Sequence, residues 1–264
     1  MDAGCYQGSV KVVACDSQRS ADLYKQAATT RRPTLLWWRL QLGLSLRLLQ
    51  INLHYSKAAS AALSLRLAKG KADVVLVQEP WVVGGKVAGL GTREYKLMLD
   101  PKEGKIRTCI LAKRHLNIFL LRNYSNGDNT SVSLELQHGS IRLLSVYMAF
   151  EKEDPPDALV RGLAKECEEL KTGLVIGCDA NAHHTQWGCP NNNDRGESLF
   201  DFFLNSNLFL CNRGNVPTFI TKACQTIIDL TLDLLVSAVT NWFVSDEHSF
   251  SDHRYIETDI EKLM

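Results

Sequence analysis

The first sustained pattern along the chain begins at Leu46, where Leu46-Arg-Leu-Leu-Gln-Ile-Asn52 reads as a strand closed by an amide. Ser56 to Leu67 is rich in Ala and Leu and reads as a helix, and Ala72 to Gln78 is a short apolar strand. Together they predict a strand-helix-strand opening. Short alternating segments follow near Tyr95–Leu99, Thr108–Ala112, Ile118–Arg122, Ser131–Gln137 and Ile141–Met148, parted by turn signals such as Asn126-Gly127 and His138-Gly139. They predict an antiparallel meander. A helix from about Pro156 to Leu170, opened by Asp154 and two prolines, leads into a strand over Gly173 to Asp179; a helix over Ser198–Asn205 and several short strands complete the chain. Strands and helices mixed at this spacing predict a layered α/β fold, sheet on sheet inside and helices outside.

Upstream of this pattern, residues 1–44 show no sustained periodicity and carry six Lys/Arg against three Asp. They read as an N-terminal extension, and residues 45–264 as one domain. Charge alone does not choose between disorder, a cover for a sheet edge and an upstream linker. With 264 residues, 45% of them hydrophobic, the chain is long enough for one substantial core. Its net charge of +1 excludes a uniformly basic nucleic-acid-binding module, so any surface for such a partner has to be local. The eight cysteines are scattered without a C-x-x-C pair and read as reduced thiols inside a cell. The Leu-rich run from Leu35 to Leu53 is broken by Arg39, Gln41 and Arg47, short of the ~20 apolar residues a bilayer span requires. A soluble protein with no membrane partner is expected.

The candidate chemistry lies in polar residues at the ends of apolar strands, where a scaffold delivers side chains to one rim. Asn52 closes one strand and Gln78-Glu79 closes the next, a carboxylate beside an amide, which suits a hard cation that prefers oxygen ligands. Taken alone, Glu79 is more often the start of a loop. Tyr147 ends the strongest strand of the middle region and offers a phenol that can donate to a phosphate oxygen; a satisfied core tyrosine is the plainer reading. Asp179 and Asn181 stand two apart on one side of an extended chain. There the Asp can orient or deprotonate a water and the Asn can hold a phosphate oxygen, with an Asx-rich turn equally compatible. His183-His184 with Cys178 and Cys189 invites a zinc reading, but the spacing lacks the ligands that would complete a tetrahedron. Asp229 sits inside an apolar strand and needs a partner, which Ser251-Asp252-His253 supplies. A buried His–Asp bond tying two strands together is the structural alternative.

In order, Asn52, Gln78-Glu79, Tyr147, Asp179-x-Asn181, Thr218, Asp229 and Ser251-Asp252-His253 resemble the signature of the endonuclease/exonuclease/phosphatase superfamily over Leu46 to Met264. Within it the chain is similar to the apurinic/apyrimidinic-endonuclease-like domain of insect non-LTR retrotransposons. Cys178-Asp-Ala-Asn-Ala-His-His-Thr-Gln-Trp-Gly188, Asp194-Arg-Gly196, Pro217-Thr-Phe219 and Ile228-Asp-Leu-Thr-Leu232 carry that likeness, with Cys178 a departure that leaves the catalytic Asp and Asn in place. The resemblance implies a four-layer α-β-β-α sandwich of two mostly antiparallel sheets. It implies a Mg²⁺-dependent endonuclease, Mn²⁺ substituting, that nicks double-stranded chromosomal DNA in the nucleus and leaves a 3′-hydroxyl to prime reverse transcription. The full-length protein would carry a fused reverse transcriptase. By the same likeness Glu79, Asn52 and Asp252 hold the metal, Asp179 activates or orients water, Asn181 and Tyr147 fix the phosphate, and His253 oriented by Asp229 stabilises its charge. Thr218 contacts that phosphate, and Lys57, Arg107, Arg195, Lys222 and Arg254, near the signature segments, are candidate phosphate contacts. The segment Thr218 to Gln225 is expected to form a hairpin reaching a groove. The alternatives are a phosphoesterase of the same fold acting on a small phosphate ester or lipid headgroup, and a non-catalytic remnant, which would have lost a ligand or the histidine.

Overall fold

A computed structural model describes residues 45–100, 104–137, 139–151, 154–234 and 239–261; the predicted extension over 1–44 lies outside them. The strand-helix-strand opening is β1 (Leu46–Asn52), α1 (Lys57–Ala68) and β2 (Val74–Gln78), and the Ser56 hydroxyl caps α1 by accepting from the Ala59 N–H at 3.1 Å. After a small ribbon of β3 (Val82–Val83) and β4 (Lys86–Val87) come β5 (Tyr95–Met98), β6 (Thr108–Lys113), β7 (Ile118–Leu120), β8 (Asn129–Leu136) and β9 (Gly139–Tyr147). Next are α2 (Ala158–Leu170), β10 (Gly173–Asp179), α3 (Asp194–Asn205) and β11 (Phe209–Leu210). A second ribbon, β12 (Phe219–Ile220) with β13 (Gln225–Thr226), precedes β14 (Asp229–Asp233), β15 (Val239–Val244) and β16 (Ile256–Ile260).

Two six-stranded sheets result, in the orders β15-β16-β1-β2-β6-β5 and β11-β14-β10-β9-β8-β7. In them β1 with β2 and β9 with β10 pair in parallel, each joined by a helical crossover, and the other pairs are antiparallel. The alternation of side chains then sorts the core into three layers. Leu49, Ile51, Val75 and Val77 meet Leu63 and Leu67 of α1, whereas Leu48, Val74 and Leu76 turn the other way to meet Val132, Leu143 and Val175 between the sheets. Leu174 and Ile176 face Leu163 of α2 and Leu199 of α3. Helix, sheet, sheet and helices follow in that order, the α/β sandwich expected, with few helices on the outside. Each buried leucine stabilises the stack by roughly 1.5–3 kcal/mol.

The predicted meander is not one sheet. β5 and β6 extend the first sheet while β7, β8 and β9 build the second, so the chain crosses between layers around residues 114–117. Alternation predicts faces, not sheet membership. Two helix starts also differ from expectation. α2 begins at Ala158 because Asp157, not Asp154, accepts from the Leu159 and Val160 N–H groups at 3.1 Å. α3 begins at Asp194, four residues early, because the Asn193 side chain caps the Gly196 N–H at 2.8 Å. Among the described residues no helix is long and apolar enough to cross a membrane. The six cysteines among them are free.

Candidate active site

Toward the ends of β2 and β10 the space between the sheets turns from apolar to polar, and buried amides and hydroxyls bridge it. Gln50 donates to the Cys178 carbonyl at 3.1 Å and accepts from the Thr231 hydroxyl at 3.2 Å. The Gln78 amide donates to the Ser145 hydroxyl at 2.9 Å and the Gly177 carbonyl at 3.1 Å. Thr108 and Thr130 share a bond of 2.9 Å. A Cβ at Gly177 would meet Gln50 Oε1 and Leu76 Cδ1 at 2.7 Å, so a larger residue would have to displace the Gln50 amide from its bonds. This seam fixes the register of the two sheets, so residues at their rims face each other without slack.

At the head of the seam Asn52 Nδ2 donates to Asp179 Oδ2 at 2.8 Å, linking the two sheets directly. The other Asp179 oxygen accepts from the Asn181 N–H at 3.2 Å. Asp229 lies opposite Asp179 in the β10–β14 register, and His253 Nδ1 lies 2.9 and 3.0 Å from its two oxygens. Asp179, Asp229 and His253 bring one ligand-type atom each within 4.8 Å of one another, and all three are buried. Burial pushes the Asp179 carboxyl up to about 7, helped by Asp229 and opposed by His253. For His253 burial disfavours the charged ring, but the adjoining Asp229 carboxylate and its hydrogen bond outweigh it and raise the imidazolium to about 9. The ring is therefore a cation near neutral pH. With Nδ1 donating to Asp229, Nε2 is the nitrogen available to a substrate.

Around this centre the backbone is held in the left-handed region at His54 (φ 48°), Tyr55 (φ 52°), Glu79 (φ 44°) and Asn181 (φ 45°). Four such residues at one rim mark a geometry imposed by the surrounding structure. The Glu79 carboxylate is buried and makes no ion pair among the described residues, and Gln78 Oε1 beside it has no hydrogen-bond partner. Asn52 Oδ1 accepts from the His54 N–H at 2.7 Å and keeps a second lone pair. A buried carboxylate that makes no ion pair fits a hard divalent cation. Asp252 sits half exposed above Asn52, 3.2 Å from His54 Nδ1, while the Ser251 hydroxyl donates to the Asn52 carbonyl at 2.8 Å. Asn52 and Asp252, two of the residues expected to hold a metal, are thereby linked through the His54 turn and the Ser251 hydroxyl, and Glu79 follows the strand that pairs with β1. His54 carries no sequence signal, lying in the turn just past the strand's closing amide.

Tyr147 stands on the opposite rim, its phenol pushed up mainly by burial and by the Glu79 and Asp179 carboxylates, with the Arg107 guanidinium 5.4 Å from its ring centre. The other predicted contacts are less uniform. Lys57 is exposed, 5.5 Å from the Trp81 ring centre, and Lys222 is exposed at the turn of the β12–β13 ribbon. Arg107 pairs with Asp128 and Glu151, and Arg254 with Asp246 at 2.6 Å. Arg195 donates to the Asn181 and Met148 carbonyls at 3.0 Å, which holds the Asn181 turn in place. The hairpin forms as expected and packs Phe219 against the His253 ring at 4.9 Å.

Thr218 has a role inside the fold. Read as a phosphate contact, it is fully buried, and its hydroxyl oxygen accepts from the Ile228 and Asp229 N–H groups at 3.2 and 3.1 Å. It positions Asp229. Thr218→Val leaves two buried donors unmet and is expected to cost about 3 kcal/mol of stability; a urea midpoint unchanged from the parent would refute this role. Among the described residues Cys178, Cys189, His183 and His184 form no metal-holding group, and His184 Nδ1 accepts from the Gln186 N–H at 3.1 Å.

Comparison with known proteins bears on this geometry. The family described as "Endonuclease-reverse transcriptase" matches residues 141–257. Over 222 residues the chain is 26% identical to the 115 kDa protein of the type-1 retrotransposable element R1DM of Drosophila melanogaster, covering 79% of this chain and 21% of that protein. The chain thus spans about a fifth of that relative's length. Among solved structures, the endonuclease domain of TRAS1, a telomere-specific non-LTR retrotransposon, superposes with a TM-score of 0.70 at 28% identity, covering 82% of this chain and 98% of that one. The Xenopus laevis APE2 catalytic domain shares the fold, with a TM-score of 0.63 at 13% identity over 81% of this chain and 92% of its own.

Proposed function

We propose that the chain, which matches the "Endonuclease-reverse transcriptase" family over residues 141–257 and is 28% identical to the TRAS1 endonuclease domain, is a nuclease that nicks double-stranded DNA by hydrolysing one phosphodiester bond. The observation that carries the reading is the buried Asp179–Asp229–His253 group, bonded to Asn52 through Asp179, with the buried Glu79 carboxylate close enough for His253 to feel its charge. Phosphoryl transfer needs positioning and charge neutralisation more than covalent help, and this rim offers both. Asp179, with a carboxyl near 7, orients water and takes its proton. The His253 imidazolium, held by Asp229, donates from Nε2 to a phosphate oxygen as negative charge builds. Asn181 and Tyr147 hold the remaining phosphate oxygens from the second sheet. A divalent cation, Mg²⁺ with Mn²⁺ as substitute, held by Glu79, Asn52 and Asp252, would neutralise charge on the phosphate when bound.

Because the chain covers a fifth of the R1DM protein, its wider setting is part of the proposal. It would act in the nucleus, fused to a reverse transcriptase, and leave a 3′-hydroxyl as primer. The test is incubation with supercoiled plasmid in Mg²⁺, Mn²⁺ or EDTA. Open circles that accumulate with either metal, vanish in EDTA and can be extended by a DNA polymerase are expected. Intact plasmid alongside hydrolysis of a small phosphate ester would defeat the DNA reading.

A further inference from the structure

Two phenylalanines at this rim stand out in water. Phe150 is 72% exposed and Phe250 is 64% exposed. Leaving a phenylalanine unburied forgoes roughly 1.5–3 kcal/mol, and scattered exposed apolar residues are ordinary. These two are placed differently. Phe150 follows Tyr147 by three residues, beyond the buried Met148 and Ala149, and the Arg195 guanidinium lies 5.8 Å from its ring centre. Phe250 precedes Ser251-Asp252-His253 and has φ 59°, a left-handed conformation that aromatic residues seldom adopt. Its backbone is tied down on the inner side, where its carbonyl accepts from the Ser56 hydroxyl at 3.3 Å and Ser251 bonds to Asn52. The strained backbone and the outward ring belong to one loop, and that loop carries two of the functional residues.

Phe150 trails β9 of the second sheet, and Phe250 precedes β16 of the first. Each sheet therefore carries one exposed ring within three residues of a site residue. Three residues span at most about 10–11 Å, so Phe150 lies within that reach of Tyr147 and Phe250 within it of His253. At 3.4 Å per nucleotide along a strand, the reach is about three bases. The surrounding charge suits a polyanion, with Lys105 exposed and 4.2 Å from the Tyr55 ring centre, and Lys57 exposed beside Trp81.

We propose that Phe150 and Phe250 are base-stacking residues that insert against nucleotides flanking the scissile phosphate and unstack them locally. The inference rests on the DNA reading above. An apolar wedge between base steps costs some stacking and allows the duplex to bend into a cleft; an aromatic face recovers that stacking whatever the base. The two rings then set where along the strand the phosphate halts relative to His253.

The test uses the full chain with duplexes carrying 2-aminopurine at single positions within three nucleotides of the mapped nick. In EDTA, where no cutting occurs, the parent protein is expected to raise 2-aminopurine fluorescence at positions on both sides of the nick. Phe150→Ala and Phe250→Ala should each abolish the rise at one side. With metal, each should raise KM roughly tenfold with kcat within about twofold, and Phe→Trp at either position should restore both signals. Variants with parental fluorescence and KM would overturn the inference while nicking by the parent keeps the DNA reading. A change in the sedimentation of DNA-free protein with unchanged DNA binding would also overturn it, in favour of a contact between copies. A parent that nicks nothing would fail the DNA reading itself.

Discussion

His253→Ala is expected to lower kcat for plasmid nicking by about 10³-fold and to leave duplex affinity within a few-fold. The ring is buried and, through Asp229, is held as an imidazolium near neutral pH, with its bonded Nδ1 facing the core. Its deletion removes a charged donor that the ground-state phosphate uses weakly and the transition state uses strongly. Asp229→Asn should act in the same direction for a different reason. Without the carboxylate the main influence raising the ring is gone, burial weighs more, and the His253 pKa is expected to fall. Single-turnover nicking, with the ring's titration followed by NMR, separates the two cases. If His253→Ala keeps more than about a tenth of parental kcat, the histidine only ties the strands together. That outcome would restore the structural alternative left open by the sequence.

The strand ends were legible because polar residues that close apolar runs are few, and Asn52, Glu79, Asp179, Asp229 and His253 all meet where the two sheets face each other. What the sequence hid was partnership. Gln50 and Ser145 read as ordinary strand positions, and Gln78 and Thr231 only as members of longer motifs, yet the four form the buried seam that sets one sheet against the other. Nothing local marks a glutamine whose partner is 128 residues away. The split of the supposed meander has the same origin, since period-two alternation is satisfied equally by either sheet. Thr218 shows the limit for single residues: the resemblance implied a phosphate contact, and only the fold shows that its buried hydroxyl supports Asp229. Among the predicted basic contacts, Arg107, Arg195 and Arg254 already have protein partners, so Lys57 and Lys222 are left with the exposed positions. His54, two residues beyond a recognised strand end, was overlooked because a histidine in a turn carries no signal of its own. Its bond to the Asn52 side chain is visible only in three dimensions.

Asp179→Asn is expected to reduce nicking by about 10³-fold and, relative to the parent, to become more stabilising as pH rises. The sign follows from the raised carboxyl. Free aspartate titrates at 3.8, and folding moves this one to about 7 because burial disfavours its charge more than the His253 imidazolium and the Asn52 bond favour it. Between those values the folded state keeps a proton the unfolded chain has released, so this group's contribution to stability falls as pH climbs from about 4 through 7. An asparagine has no such slope. It does lose something constant: Asn52 Nδ2 and the Asn181 N–H each donate to one carboxyl oxygen, and a single amide oxygen serves one of them, a penalty of about 1–3 kcal/mol. The offset can therefore take either sign at pH 5, while the trend to pH 8 has only one. Melting curves in EDTA at pH 5, 6.5 and 8 measure it, as the variant's midpoint minus the parent's at each pH. A flat difference would mean that Asp179 is ionised in the fold at no cost. The cost is what suits it to take a proton from water, because a carboxylate stabilised enough to sit near 4 would be a poor base at neutral pH. The fold gives up stability at this carboxylate, and the proposed reaction uses the basicity that results.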